Sequence, residues 1–265
     1  MRAVCTIRAE PHYRRQAFVN GLERAGYTIG EFVKPAGRTD LLVIWNRQAA
    51  DEMRANEWEA AGGTVLVCEN GYCGRDAEDR QLYAISVHGH NGSGWFPVGE
   101  TDRFAPLGVE LKPWNSNPRG FVLVCAQRGI GSRLMASPAR WDSQMAKRLA
   151  AMRVPFKVRQ HPGRKKSETT LEQDLAGARA CLIWSSASGL RALQLGVPVA
   201  FAAPHWIAAD AASRGLQGIE RLVMDDAARL AAFQRLAWAQ WKVEEIETGE
   251  PFVRILENLE HAKWP

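Results

Sequence analysis

Short apolar runs alternate with amphipathic helical patterns along almost the whole chain, and this alternation restricts the possible folds more than any other feature. In the first half, runs typical of strands occupy residues 3–7, 41–45, 64–68 and 83–87. Helical patterns at 11–25 and 49–61 each end at glycine, which favours a helix C-terminus there. Strands joined through helices of this length form right-handed βαβ units, so we predict a parallel sheet.

A segment rich in proline and asparagine, residues 112–120, interrupts the alternation and is predicted to link two domains. The second half is then expected to contain strands at 121–126, 156–159, 180–184 and 198–201. Its predicted helices begin at Pro138, at Ala187 and at Asp225 or Asp226, and a last one over 243–263 is broken at 249–251. We therefore predict an α/β protein with two Rossmann-like lobes, parallel sheets and an interlobe cleft.

Two of these helices have a predicted buried face. The helix that begins at Pro138, capped by Ser137, would bury Trp141, Met145, Leu149 and Met152. The helix that begins at Asp225 or Asp226 would bury Leu230, Phe233, Ala237 and Trp241.

The charge balance is modestly basic, with 34 Lys and Arg against 29 acidic residues among 265 and a formal net charge of +5. Such a balance favours anionic partners such as nucleic acid, an acidic membrane surface or phosphorylated substrates, although an ordinary basic enzyme has it too. The five cysteines include no C-x-x-C pair and no histidines at zinc-site spacing, which favours a reduced, cytoplasmic protein. No run approaches the roughly 18 apolar residues of a membrane span, so we expect a soluble protein.

Three loops at the ends of second-half strands combine features that suit an anionic ligand. Residues 127–133 place two glycines and two arginines after a strand, which would let the backbone and guanidinium groups approach a diphosphate. Residues 159–166 combine four cations with His161, and residues 184–190 run from a strand into serines that open a helix. The alternatives are a flexible basic turn, a solvated charge run and plain helix capping, respectively.

The first half contains candidates for a general base. Glu69 lies in a glycine-containing segment after a strand, His88 and His90 lie in a second such segment, and Asp102 follows. The two histidines could instead bind a metal ion, but the sequence offers no third ligand beside them.

The second-half loops, taken in order, resemble the donor domain of GT-B glycosyltransferases, of the capsular or surface-polysaccharide type and of related phage-encoded proteins. The segments that carry the resemblance are FVLVCAQRGIGS, VRQHPGR and LAGARACLIWSSASGLRALQLGVPVAF, and WAQWKVEEIETGEPF resembles the terminal helix of such phage proteins. The likeness spans about residues 120–255, and its specificity comes from the order of short motifs. The glutamate that many GT-B enzymes use for the donor ribose is replaced here by Gly189-Leu190-Arg191.

The resemblance implies a domain plan. Residues 1–115 would form an acceptor-binding lobe, 116–240 a donor-binding lobe, and 241–265 a helical segment returning toward the first lobe. His161 would contact the donor phosphate or base, and Ser185 and Ser186 would hold the diphosphate. The complete donor-binding set that we expect is Arg128, Gly129, Gly131, Ser132, Arg133, Arg159, His161, Ser185, Ser186, Ser188 and Gly189.

The implied reaction is transfer of a sugar from a nucleotide-diphosphate sugar, expected to be a UDP-sugar, by a hexosyltransferase-type enzyme. Arginines and helix N-termini would stabilise the leaving group, and because no Asp-x-Asp occurs we expect no metal. No cofactor is expected beyond the nucleotide-sugar co-substrate, and we expect a monomer in the cytoplasm of a bacterial or phage-infected host cell.

For the acceptor, the leading hypothesis is a 5-hydroxymethylpyrimidine base in double-stranded phage DNA, because the chain is basic and resembles phage proteins. Arg14, Arg15, Lys165 and Lys166 are the candidates for contacts with DNA phosphates. One alternative is a surface or capsular polysaccharide acceptor. The other is a non-catalytic nucleotide- or DNA-binding protein.

Overall fold

The computed structural model describes residues 1–115, 117–129, 131–133, 135–163 and 167–263. The chain divides into two units: the first combines Met1–Leu107 with the chain from Arg235 onward, and the second is Gly108–Gln234. Each unit is built on one sheet with a Rossmann-like strand order, and most strand pairs are parallel. The predicted mixed α/β class with parallel sheets is confirmed.

The first unit begins with a series of five strands and two helices. These elements are β1 Arg2–Cys5, α1 His12–Arg24, β2 Thr28–Ile29, β3 Leu41–Trp45, α2 Ala49–Ala60, β4 Thr64–Arg75 and β5 Gln81–Val87. Their order in the sheet is β5-β4-β3-β1-β2, and β1 to β4 run parallel to one another. Apolar side chains of both sheet faces are buried, one face under α1 and the other under α2.

The strand β5 differs from the prediction because it runs antiparallel to β4. Only residues 76–80 connect the two strands, and so short a connection makes a hairpin, whereas a parallel pair needs a crossover of a dozen or more residues. Asp76 closes this turn by accepting the N–H groups of Glu78 and Arg80 at 3.0 and 2.8 Å. The pairing with β5 also extends β4 through residues 69–75, whereas the sequence predicts that the strand ends at Cys68.

The second unit contains five further strands, β6 to β10, and its sheet is parallel throughout, in the order β10-β9-β8-β6-β7. The elements are β6 Phe121–Cys125, α3 Trp141–Ala151, β7 Phe156–Arg159, α4 Leu171–Ala176, β8 Ala178–Ile183, α5 Ser188–Gln194, β9 Val199–Phe201, β10 Ser213–Arg214 and α6 Asp226–Ala237. The boundary between the two units falls inside α6.

Two helices of this series depart from their predicted form. Helix α3 begins at Trp141 rather than at Pro138, because Arg140 before it has a left-handed backbone with φ 56°. Met152 lies beyond the last turn of α3 and is exposed, whereas Trp141, Met145 and Leu149 are buried as predicted. Helix α6 ends at Ala237, so Trp241 belongs to the following strand, and Leu230 faces solvent.

The chain then returns to the first unit as β11 Gln240–Trp241, α7 Val243–Thr248 and α8 Glu250–Glu257. β11 extends the first sheet antiparallel to β5. The predicted helix break falls at Gly249, whose φ of 87° separates α7 from α8. Both helices pack on α1, and Phe252 and Ile246 join Phe18 and Leu22 in one buried cluster.

None of the helices in the described ranges is both long and apolar enough to cross a membrane.

Candidate functional site

The sheet of the second unit has a topological switch point at β6. The connection through α3 leads from β6 to β7 on one side, whereas β8 lies on its other side. Loops leaving the carboxyl ends of strands diverge at such a point and leave a crevice in which α/β proteins bind ligands. A cavity of about 340 Å³ lies at the carboxyl ends of β6, β7 and β8. Its walls are formed by Cys125, Ala126, Arg159, Gln160, His161, Pro162, Leu171, Ser186, Ala187, Ser188 and Arg191.

Four of the residues in the predicted donor-binding set line this cavity: Arg159, His161, Ser186 and Ser188. Arg128, in the loop after β6, is not part of this lining but lies close to the loop that contains His161. A Cβ atom on Gly163 would lie 3.2 Å from both Arg128 Nη1 and His161 Nδ1. The structure therefore brings the first two predicted loops together, whereas Gly129, Gly131, Ser132 and Arg133 do not belong to the cavity lining.

His161 is fixed by its own loop. The N–H of Gly163 donates to His161 Nδ1 at 2.9 Å. Because Nδ1 accepts this bond, the neutral imidazole carries its proton on Nε2 and can donate from there. His161 thus suits hydrogen bonding to a phosphate oxygen or a base carbonyl of a ligand in the cavity.

Arg159 is held in an internal ion network. Its Nη1 donates to the carboxylate of the buried Asp174 at 2.5 Å and to the carbonyl oxygen of Thr169 at 2.9 Å. Lys157 and the hydroxyl of Thr169 also donate to Asp174, at 2.6 and 2.7 Å. Burial raises the pKa of Asp174, but these hydrogen bonds outweigh it and hold the pKa below its ordinary value. Much of the charge of Arg159 is therefore neutralised before any ligand binds.

Ser185 and Ser186 have different roles in the structure. Ser185 is buried, its N–H donates to Gln127 Oε1 at 2.6 Å, and Gln127 Nε2 donates to Ser185 Oγ at 3.3 Å. Gln127 thereby ties the chain after β6 to the chain after β8. Ser186 and Ser188 share a hydroxyl hydrogen bond of 2.7 Å at the cavity wall. Their hydroxyl groups, rather than that of Ser185, are placed to meet a ligand.

Gly189 is required for packing. A Cβ atom there would lie 2.5 Å from Ile183 Cδ1 and 2.8 Å from the ring of Trp206.

Two contributors to the cavity were not expected from the sequence. Arg191 donates to Glu172 at 2.9 Å and to Gln194 at 2.7 Å, and it lines the wall where the resemblance leads one to expect a glutamate. Leu171 lines another part of the wall as the first residue of α4, a helix that was not predicted. A signal for α4 was present, because Thr170 and Gln173 form a capping box with reciprocal bonds of 3.2 and 2.8 Å.

One residue of the cavity lining, Cys125, belongs to a thiol pair. Cys125, at the end of β6, lies with its Sγ 3.7 Å from that of Cys181 on β8. Donation from the Cys181 thiol lowers the pKa of Cys125 and raises that of Cys181.

In the first unit, Glu69 lies at the carboxyl edge of the parallel strands, one residue past the Trp45–Cys68 pair. Tyr72 Oη donates to Glu69 Oε1 at 2.6 Å, and the N–H of Asn91 donates to the same oxygen at 3.0 Å. Burial and the neighbouring carboxylate raise the pKa of Tyr72 well above its ordinary value, so the phenol stays protonated and donates. Glu69 Oε2 makes no hydrogen bond or ion pair within the described residues, and the side chain is partly exposed.

The other three predicted bases are held differently. His88 Nδ1 lies 2.8 Å from Glu59 in an ion cluster with the buried Arg47. Asp102 Oδ1 accepts the N–H groups of Phe104 and Ala105 in a turn. His90 is buried, and its Nδ1 finds no hydrogen-bond partner among the residues described.

Within the same residues, no group of three or more His, Cys, Asp or Glu side chains is placed to hold a metal ion.

The arginines predicted to bind DNA make internal contacts. Arg15 Nη1 donates to the carbonyl oxygens of Cys5, the last residue of β1, and of Ile7 just beyond it, both at 3.0 Å. The guanidinium group of Arg14 lies 4.3 Å from the ring centroid of Trp45. Lys165 and Lys166 lie outside the described residues.

No protein-family model matches this chain, and no curated protein sequence matches it. Solved structures do share its fold along nearly the whole length. One is KpsC of Thermosulfurimonas dismutans described as a β-Kdo 2,4 transferase, with a TM-score of 0.53 and 15% identity over 88% of this chain and 90% of that one. Another is KpsC of the same organism described as a β-Kdo 2,7 transferase, with a TM-score of 0.56 and 12% identity over 97% and 99%. At these identities the likeness shows a shared fold.

Proposed function

We propose that this protein is a glycosyltransferase of the two-lobed GT-B type, which transfers a sugar from a nucleotide-sugar donor to a hydroxyl group of an acceptor. One observation carries the proposal: the cavity at the switch point of the second sheet is lined by residues from strand-end loops that resemble a donor site. The shared fold with two proteins named as Kdo transferases supports it over nearly the whole chain.

In this proposal the donor phosphate lies beside His161, Ser186 and Ser188. The Nε2–H of His161 and the two hydroxyl groups would donate to phosphate oxygens, and Arg128 would add positive charge beside them. Such donors stabilise the negative charge that develops on the leaving nucleotide without the help of a metal. Arg159 and Asp174 would support the loop from behind. UDP as the nucleotide and a hexose as the sugar stay predictions.

For the acceptor, the observations favour a glycan hydroxyl, as in the surface-polysaccharide hypothesis, over a base in DNA. The two structural neighbours are named as sugar transferases, and Arg14 and Arg15 are engaged in internal contacts. Glu69 suits the role of the group that takes the acceptor proton, because one oxygen is anchored by Tyr72 and Asn91 while the other is open.

The test is an incubation of the protein with UDP-, GDP- and CMP-activated sugars, the CMP form of Kdo among them. Acceptors would be Kdo-containing oligosaccharides, hydroxymethylated DNA and unmodified DNA. Mass spectrometry should show a mass gain on the oligosaccharide together with release of the nucleotide. A gain confined to hydroxymethylated DNA would restore the DNA hypothesis. Tight nucleotide binding without transfer to any acceptor would favour the non-catalytic alternative.

Variants locate the site. His161→Ala and Arg128→Ala should each lower turnover by roughly 100-fold, because each removes a donor aimed at the leaving group. His205→Ala removes a histidine of the same unit that does not line the cavity, and it should keep the wild-type rate. Glu69→Gln should abolish transfer and leave the Kd of the nucleotide unchanged in a binding titration. Wild-type turnover in His161→Ala would mean that the donor binds elsewhere.

A further inference from the structure

The strands β4 and β5 lose their regular pairing beside Glu69. Asn70 pairs with Tyr83, and the next pair is Arg75 with Gln81. Residues 71–74 of β4 thus lie opposite Leu82 alone, which is a bulge of several residues. A bulge leaves backbone groups without ladder partners, and buried N–H groups need partners from elsewhere. Here the N–H groups of Tyr72 and Cys73 fall in the stretch without ladder pairs.

The side chain of Gln240 on β11 provides those partners. Gln240 Oε1 accepts the N–H groups of Tyr72 at 2.6 Å and of Cys73 at 3.1 Å. Gln240 Nε2 donates to the carbonyl oxygen of Cys73 at 2.7 Å. The residue is 1% exposed, so these three bonds are made without competition from water. The amide therefore fixes the backbone conformation of the bulge.

This conformation sets the direction of Tyr72. With the backbone held by Gln240, the phenol of Tyr72 turns back along β4 and donates to Glu69 Oε1 at 2.6 Å. The N–H of Asn91 donates both to that oxygen and, at 3.1 Å, to Tyr72 Oη. A continuous set of hydrogen bonds thus runs from Gln240 through Tyr72 to Glu69, across 168 positions of sequence between Tyr72 and Gln240.

We infer that Gln240 is a positioning residue for Glu69, acting through the bulge and Tyr72; the inference rests on the proposed function, in which Glu69 takes the acceptor proton. Displacement of a reacting group by about 1 Å can cost on the order of 100-fold in rate.

The first experiment compares Gln240→Leu with Gln81→Leu. Gln81 is the matched control, since its amide also lies beside the bulge but donates to Gly71 O at 3.3 Å and not to Tyr72 or Cys73. Gln240→Leu should lower kcat roughly 10- to 100-fold and leave the donor KM unchanged, because the proposed donor cavity lies in the other unit. Gln81→Leu should match the wild type.

A double-mutant cycle tests whether Gln240 acts on Glu69 through Tyr72. Tyr72→Phe leaves the bulge intact but removes the phenol that holds Glu69, so it should reproduce the lower kcat at an unchanged donor KM. If Gln240 acts through Tyr72, the combined variant should be little slower than the slower single variant. Should Gln240→Leu not fold, Gln240→Glu keeps the shape and the two acceptor contacts and loses the donation to Cys73.

Hydrogen exchange gives a readout that does not depend on activity. In Gln240→Leu the amides of Tyr72, Cys73 and Asn91 should exchange faster, with β1 and β3 unchanged. The inference is overturned if the wild type is active while Gln240→Leu shows the kcat of Gln81→Leu, or if the exchange of Asn91 does not change. A wild type that transfers no sugar, together with faster exchange at Asn91, would refute the proposed function and leave the structural link standing.

Discussion

Asp174 links α4 to the end of β7 and to the residue before the cap of α4, through contacts with Lys157, Arg159 and Thr169. Its carboxylate is almost fully buried, so these partners have to balance its charge. The sequence places Arg159 at a strand end, where a ligand contact was a reasonable prediction. It does not reveal that the partner of Arg159 lies fifteen residues further on, because that pairing depends on how the loop folds.

Replacing Asp174 with asparagine should destabilise the protein by about 3 kcal/mol at pH 7, since it leaves Arg159 and Lys157 without their buried counter-charge. The effect has a defined pH dependence. The pKa of Asp174 is lowered in the folded state, so its contribution is fully present above the unfolded value of about 4 and is lost as pH falls through the folded value. Urea unfolding from pH 7 to 2 should therefore show the two proteins converging toward pH 2.

The exposed Asp210 provides the control for this series. Asp210→Asn should follow the wild-type curve throughout. If the unfolding free energies of Asp174→Asn and the wild type differ by the same amount at all pH values, the shape of the side chain rather than its charge causes the destabilisation.

Among the elements, buried strands were the most predictable from the sequence. Strands β1, β3, β6 and β7 lie within a residue or two of the predicted ranges, because short apolar runs bounded by turn residues usually form buried strands. The direction of β5 was predicted wrongly. An apolar run does not show how its strand is oriented relative to the neighbouring strand, and here the short turn after β4 makes the pair antiparallel. The start of α3 was wrong because the backbone of Arg140 overrides the Ser-Pro signal.

The contact between α1 and α7 provides a test at the scale of elements. A Cβ atom on Gly21 would lie 1.8 Å from the carbonyl oxygen of Ile246, so only glycine allows this approach. Gly21→Ala should force the two helices apart and cost about 1–3 kcal/mol, measured by urea unfolding. Gly37→Ala meets no atom within 4 Å and should change the unfolding free energy little. Equal stability of the two variants would mean that α7 does not pack on α1 in solution.

At the scale of the molecule, the first unit is built from two separate parts of the sequence, Met1–Leu107 and the chain from Arg235 onward. Local patterns predicted a helix after Val243 and its break at Gly249, but not the apolar face of α8. They could not predict which residues of the first half this face would cover, because such long-range contacts leave no periodic signal. The same limit applies to the candidate site: strand-end loops were recognisable, but the bond between Gln127 and Ser185 and the support of Glu69 by Tyr72 were not.

A chain that ends at Lys242 lacks α7 and α8 and would uncover the cluster around Phe18 and Leu22. We expect hydrogen exchange in β1 and β3 to accelerate by orders of magnitude, because their apolar cover is lost. Exchange in β6 and β8 should stay as in the full chain, since none of their core neighbours is removed. Full protection of β1 and β3 in the shortened chain would show that the first half is stable without its C-terminal part.

The split first unit also has a consequence for synthesis on the ribosome. Residues 1–107 emerge before the second unit, whereas β11, α7 and α8, which complete their sheet and core, emerge after it. The second unit is one continuous segment of sequence, so it can finish folding before β11, α7 and α8 of the first unit have been synthesised. In the nascent chain the strand edge of β5 and the apolar face of α1 are exposed while the second unit is synthesised. Chaperones that bind apolar segments would therefore bind this protein at these two surfaces.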